Sequence, residues 1–379
     1  MRLSRPAPLL LLSSLLLVSP ARGEEPAWTR IGPEGGQITA YLAVPARPAT
    51  LYAGFIDGGI YRSDDRGATW RFAGKGSGRL RIAGLAAEAG STQVLYAASG
   101  TLGVAKTTDG GSSWKAAAKG IPLGDQLPVV AVATDAKVIG TAYAAARVGS
   151  LYKTVDGGKN WKKLGGSPVD VMALASDPRV AGTLYAVTVS GKLWKTTNAG
   201  GSWRRADGGL PADIAITRLL IDPKSSAALL VLGYDSESGH VLRSGNGGKT
   251  WVPVSTGELR SLAMDPADPK ILYLGRNDSI ERSLDGGKTW QPTAATPPGS
   301  QFQLFATRGA VIAQPFGAGL FRTTDRGGSW PRMRGIRALS ARHIAVAPGP
   351  RLYTRVLDGS SVELRSDDRG KSWQAVEPL

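Results

Sequence analysis

Cysteine is absent from all 379 residues, and histidine occurs only twice, as His240 and His343. Disulfide frameworks, zinc–thiolate centres, thiol nucleophiles and a lipidated N-terminal cysteine are therefore excluded. Histidine-rich metal sites and most histidine-dependent triads lose their raw material. No Gly-x-x-x-x-Gly-Lys phosphate loop, dinucleotide fingerprint or EF-hand spacing occurs, so no metal and no cofactor is expected. No stretch after residue 18 is apolar enough to span a bilayer. The 50 glycines and 24 prolines show no Gly-X-Y period, which rules out collagen. Turn formers at that density favour many short strands over long helices. An apolar fraction of 42% supports a sizeable core, and 20% charged residues without a polar tract argue against disorder.

The N-terminus reads as an address. Arg2 and Arg5 precede the apolar run Leu9–Val18, followed by Pro20, Ala21, Arg22 and Gly23. A basic start, a short apolar core and small residues make residues 1–23 a signal peptide. The run is about half the length of a membrane span, so an uncleaved anchor is the weaker alternative. Residues 24–379 then form a mature chain without a transmembrane segment, secreted or periplasmic and expected to be a monomer. Cleavage lowers the formal charge from +16 to +13.

The remainder repeats one motif eight times. Ser/Thr-x-Asp/Asn-x-Gly-x-x-Trp occurs with Asp65 and Trp70, Asp109 and Trp114, Asp156 and Trp161, and Asn198 and Trp203. It returns with Asn246 and Trp251, Asp285 and Trp290, Asp325 and Trp330, and Asp368 and Trp373. The mean spacing is about 43 residues, in the range of four-stranded propeller blades. In each box the hydroxyl and the acid or amide accept backbone N–H groups in a tight turn. Glycine supplies the positive φ, and the indole is buried beneath. Asn198 and Asn246 keep the acceptor and lose the charge, which points to hydrogen bonding rather than metal binding or acid catalysis. Ahead of each box come apolar runs such as Leu51-Tyr52-Ala53 and Leu184-Tyr185-Ala186, and before them Val129–Val132 and Leu219–Ile221. Runs apolar on both faces fit strands sandwiched between neighbouring sheets. The expectation is an all-β fold, a single eight-bladed propeller of four-stranded antiparallel blades, with seven blades as the fallback. Trp28–Ile31 is expected to latch the ring by pairing near Trp373–Val376.

The motif resembles the Asp-box, or BNR, repeat over essentially residues 28–379. The chain is similar to exported propellers of the photosystem II stability/assembly-factor type and to sortilin-type propellers. The resemblance implies propeller architecture and leaves function open, because fold does not fix chemistry. Sialidases and xyloglucan-type glycosidases carry the same box. A sialidase resemblance would imply an arginine triad, a Tyr/Glu nucleophile pair and an Arg-Ile-Pro signature; here Arg30-Ile31-Gly32-Pro33 breaks that signature. Tyr234 and Glu237 share the long loop ending at His240, with no arginine cluster placed beside them. A xyloglucan-type enzyme resembles two facing propellers, and this chain has one.

Positive charge must be corrected for the repeat. The residue before each box hydroxyl is basic in every copy: Arg62, Lys106, Lys153, Lys195, Arg243, Arg282, Arg322 and Arg365. This column is read as architectural, with alkyl stems along the blade and heads in water. It absorbs most of the mature charge, so no nucleic-acid partner is expected. Arg79 and Arg81 after the first box, and Arg337 and Arg342 after the seventh, fall outside it. They are the candidate partner-binding residues, on the premise that blade eight lies between blades seven and one. The plainer alternative is basic residues scattered over solvated loops.

Paired carboxylates for glycosidase chemistry are sought in Asp57 and Asp358, in equivalent loops of the first and last blades. Each directly precedes glycine, and the hairpin-turn reading outweighs the catalytic one. The favoured function is a non-catalytic, exported Asp-box propeller that binds a protein, or an anionic envelope or glycan partner, as an assembly or binding factor. The alternatives are a sialidase- or xyloglucanase-like glycoside hydrolase or glycan-binding propeller, and a structural module without a discrete ligand.

Overall fold

The apolar runs form the second strand of each blade, and they are buried from end to end: Leu51–Phe55, Leu95–Ser99, Ala142–Ala146 and Leu184–Thr188 show no exposed residue. That is the pattern of a strand with a sheet packed on each face. The computed structural model describes residues 38–376 apart from 56–58, 77–81, 101, 123–128, 148, 317–319, 332–340, 347–351, 357–361 and 367–373; from 341 onward it describes backbone alone. The latch segment Trp28–Ile31 lies outside the described residues.

Blade 1 is β1 (Ile38–Ala43), β2 (Leu51–Phe55), β3 (Gly59–Ser63) and β4 (Arg71–Phe72), paired antiparallel in that order. Blade 2 repeats it as β5 (Ile82–Ala87), β6 (Leu95–Ser99), β7 (Gly103–Thr107) and β8 (Lys115–Ala116). Blades 3 to 6 follow the same order, and blade 7 is a three-stranded sheet spanning Ser300–Thr323. The first strand of each blade is innermost, and the box joins the third strand to the fourth.

The ring closes after seven blades, not eight. Phe305, Ile312 and Leu320 of blade 7 share a core with Ile38, Leu51 and Phe55 of blade 1. Tyr41 and Phe305 stack across this junction with centroids 5.1 Å apart. Thr307 Oγ1 donates to Pro48 O at 2.8 Å, and Arg322 Nε donates to Arg66 O at 2.9 Å. The eighth repeat builds its own four-stranded antiparallel sheet, Ala341–Val376, after closure is complete. Counting boxes counts repeats. Ring membership depends on whether two blade faces fit, and the aromatic pair fills the wedge between blades 7 and 1.

The box turns form as their chemistry requires. Ser63 Oγ donates to Asp65 Oδ1 and accepts Gly67 N, both at 2.7 Å, while Asp65 Oδ1 accepts Thr69 N at 2.9 Å. The next two residues are left-handed in all seven ring blades, from Arg66 (φ 58°) and Gly67 (φ 85°) to Arg326 (φ 60°) and Gly327 (φ 88°). In the asparagine boxes only the outer hydrogen bond reverses. Ser113 Oγ donates to Asp109 Oδ2 at 2.6 Å, whereas Asn198 Nδ2 donates to Ser202 Oγ at 3.0 Å and Asn246 Nδ2 to Thr250 Oγ1 at 2.7 Å.

Two further links tie blades together. The Trp114, Trp161 and Trp251 indoles donate to Ala73 O, Ala117 O and Ala206 O of the preceding blade at 2.7, 2.7 and 3.0 Å. Bulkier Leu164 and Val254 occupy the corresponding place before Trp203 and Trp290, and those two indole nitrogens are buried without a partner. The basic column also reaches across, forward rather than back. Lys106 Nζ donates to Gly157 O at 2.7 Å, Lys153 Nζ to Ala199 O at 3.1 Å and Arg282 Nη1 to Arg326 O at 2.6 Å. The half-buried heads of Lys106, Lys153, Arg282 and Arg322 therefore do more than meet water: each caps the left-handed carbonyl of the next box. Lys106 and Lys195 also lie 5.3 and 4.8 Å from the ring centroids of Tyr96 and Tyr185, within cation–π range. Arg322 makes this same link from blade 7 to blade 1.

Candidate functional site

The propeller has two unlike faces. The box turns occupy one; the starts of the inner strands and the hairpins between second and third strands occupy the other. On the second face, hydrophobic side chains stand in solvent around blade 4, with Val169 59% and Val189 67% exposed. They border a cleft of about 460 Å³ lined also by Pro168, Lys192, Trp194 and Arg205. Arg205 lies over the Trp194 ring at 5.6 Å. Single exposed valines are ordinary on a protein surface; here two border one cleft.

The channel beside this patch carries an exception to the repeat. One inner-strand register is filled by Ala40, Gly84, Ala131, Ala173 and Ser261 in blades 1, 2, 3, 4 and 6. Small residues are needed there because neighbouring inner strands approach closely: a Cβ on Gly84 would meet Val132 N at 3.3 Å. Ser261 uses the closeness, its Oγ donating to Phe302 O at 2.8 Å and accepting Leu304 N at 3.0 Å. Blade 5 places Arg218 at this register, and blade 7 places Gln303. Arg218 extends to blade 7, its guanidinium carbon 6.0 Å from the Phe305 centroid. Burial lowers its pKa from the ordinary arginine value, yet an arginine stays charged. No ion pair to it exists among the described residues.

At the channel mouth Arg260 donates through Nε to Asn277 Oδ1 at 2.5 Å, and Asn277 in turn donates to Glu258. Gln303 Nε2 donates to Arg260 O at 3.5 Å. Tyr234 donates its hydroxyl to Leu259 O at 3.0 Å. Burial raises the Tyr234 pKa, with Arg260 and Arg218 both acting in the opposite direction. Both arginines therefore act on one phenol, and the cationic pair sits beside Tyr234, where no arginines were expected. The signal was in the sequence, as an arginine in a column of alanine, glycine and serine, but seeing it required the strand register.

Glu237 sits in a self-contained turn: Asp235 Oδ1 accepts Glu237 N and Ser238 N, each at 2.8 Å. His240 Nε2 lies 2.6 Å from Asp235 Oδ2 and 3.2 Å from Ser238 Oγ. Both contacts use the same nitrogen, whereas a serine–histidine–aspartate relay uses opposite ones. The group is a turn lock. The described box acids are likewise committed to their turns. Hydrogen bonds from Ser113, then Thr107, hold Asp109 down at about 2. Those from Asn160, Thr289 and Thr323, respectively, push Asp156, Asp285 and Asp325 lower still.

Arg79, Arg81, Arg337, Asp57, Asp358, Asp368 and Trp373 lie outside the described residues, and Arg342 is described only as backbone in the strand Ala341–Val346. The premise that blade eight separates blades seven and one is overturned by the direct contact between the latter. Among the described residues no group of three or more acids and histidines could hold a metal ion, and no helix is long and apolar enough to cross a membrane.

No family model matches the sequence, and no curated protein matches it. The fold is nevertheless shared. A GH74 enzyme from Niastella koreensis superposes with a TM-score of 0.69 at 15% identity, covering 92% of this chain and 67% of that one. The present chain thus spans about two thirds of that enzyme. YCF48 from Cyanidioschyzon merolae gives a TM-score of 0.55 at 15% identity, over 74% of this chain and 93% of that one. YCF48 bound to D1 peptide gives 0.55 at 18%, over 74% and 91%. At these identities the chain is shown to be an all-β propeller similar to both groups.

Proposed function

We propose that this chain is an exported, non-catalytic Asp-box propeller that binds a protein partner on its channel face, with residues 1–23 as the export signal. The observation that carries the reading is the pairing on one face of exposed apolar side chains around Val169 and Val189 with cations at the channel, Arg218 and Arg260. Apolar contact area supplies affinity, and concentrated charge steers an acidic partner. A propeller of similar fold in complex with a peptide, YCF48 with D1 peptide, supports a protein ligand. Arg79, Arg81, Arg337 and Arg342 belong to the same proposal as additional charge. The test is capture by the full chain from an envelope extract, at low and high salt. A protein partner whose capture weakens with salt is the expected result.

The similarity to the GH74 enzyme favours a second reading, glycoside hydrolysis. The described box acids, bound into turns and strongly acidic, are poor proton donors near neutrality. Release of reducing sugar from xyloglucan or β-glucan by the purified chain, together with no captured protein, would replace the first reading with the second.

A further inference from the structure

We propose that the central channel contains a carboxylate-binding site, with Arg218 as its charge-bearing residue and Arg260 at its mouth. The inference deepens the partner-binding reading and rests on it only for the source of the carboxylate.

The argument begins with what Arg218 displaces. Five of the seven ring blades hold alanine, glycine or serine at this register. Nothing in the repeat calls for a cation there. The basic column on the outer strands donates to box carbonyls of the next blade. Among the described residues Arg218 has the Phe305 ring at 6.0 Å and the Tyr234 phenol for neighbours, and no ion pair. A contact at that range is weak, and a half-buried guanidinium without an ion pair among the described residues keeps its fork of donors for an anion.

The surroundings select the class of anion. A guanidinium offers a planar fork that matches a carboxylate in two parallel hydrogen bonds. Its floor is aromatic: the Phe305 ring lies beneath it and packs on Tyr41. A guanidinium over an aromatic floor suits a carboxylate attached to an apolar body, such as an acidic side chain or C-terminus entering the channel. It suits a multiply charged, fully hydrated phosphate less well. Gln303 holds the Arg218 register in blade 7 and donates to Arg260 O, so polar side chains of the inner strands of blades 5, 6 and 7 meet here.

The experiment titrates the purified full chain, by calorimetry and ligand-observed NMR, with benzoate, inorganic phosphate and a glutamate-rich hexapeptide. Benzoate and the hexapeptide are expected to bind, and phosphate to bind more weakly. Arg218→Met should lower their affinity by at least about tenfold, as expected for loss of a charge-assisted fork. Arg218→Lys should retain part of it, and Lys153→Met, on the rim, should change nothing. Arg218→Met is also expected to melt no lower than the parent without ligand, which establishes that it folds. Absence of benzoate binding to the parent, or equal binding to Arg218→Met, overturns the site. If Arg218→Met captures the envelope partner as well as the parent and binds benzoate equally, the channel site fails and partner binding stands. Benzoate binding lost in Arg218→Met, with no partner captured by either protein, supports the site and removes the macromolecular reading.

Discussion

The rim and the channel of this propeller use the same kind of residue to opposite ends. At the rim, Lys106, Lys153 and Arg322 each sit beside a box whose left-handed carbonyl accepts the cation. The acceptor is created by the repeat itself, so the cation is part of the ring's fastening. In the channel, Arg218 occupies a register where the repeat provides small residues, and among the described residues it makes no ion pair. A positive charge is thus structural or available according to whether the fold supplies its partner. Overall charge does not distinguish the two.

The largest effects should come from the aromatic groups that hold blades together. Phe305→Ala is expected to cost about 3–5 kcal/mol, as for other buried aromatic truncations, because Phe305 fills the junction that closes seven blades and also floors Arg218. Trp161→Ala should cost about as much, since its ring is 3% exposed and its indole reaches blade 2. Asp156→Asn should cost far less, as Asn198 and Asn246 already build the same turn. Chemical denaturation checks all three. Closure through an eighth blade would leave Phe305→Ala near neutral, and equal losses for Trp161→Ala and Asp156→Asn would remove the hydrogen-bond account of the box.

The rim fastening should come next. Lys106→Met keeps the alkyl stem and loses the ammonium, leaving Gly157 O without its donor, with an expected loss of about 1–2 kcal/mol, in the range of hydrogen bonds to charged groups. Arg218→Met is expected to lose none. If the two variants were destabilised equally, the distinction between rim and channel would not hold.

Much of this was legible in the sequence. The box, its period, the four-stranded blade and the turn chemistry all follow from Ser/Thr, Asp/Asn, Gly and Trp at fixed offsets, because those interactions lie within a few residues. What was not legible was long-range. The fit of Tyr41 to Phe305 joins residues far apart in the chain and set the blade number at seven. The capping role of the basic column is equally hidden, because its acceptors are backbone carbonyls about 45 residues downstream. Arg218 was overlooked because one arginine in an apolar strand has no motif; only the register shows its alanine, glycine and serine counterparts.

The smallest expected effect is a graded acid response of the rim. Asp109, Asp156, Asp285 and Asp325 have pKa values below the usual aspartate value, Asp109 at about 2, because side-chain and backbone donors favour the ionised form. A carboxylate with a depressed folded-state pKa contributes stability that is present above its unfolded value, about 3.9, and lost as pH falls through the folded value. Melting temperature should therefore be flat from neutrality to about pH 4 and decline towards about pH 2. Each contribution is modest, since these groups face solvent and are screened. Asn198 and Asn246 cannot titrate, so their boxes add nothing to the decline; in blade 5 Asp235, its pKa lowered by backbone donors of Ser238 and Glu237, contributes instead. Asp109→Asn should flatten the acid limb while leaving the neutral melting temperature nearly unchanged, because the reversed outer hydrogen bond seen at Asn198 is available there too. An acid limb with the same slope in Asp109→Asn and the parent would mean that the box charge contributes nothing and that other carboxylates govern the acid response.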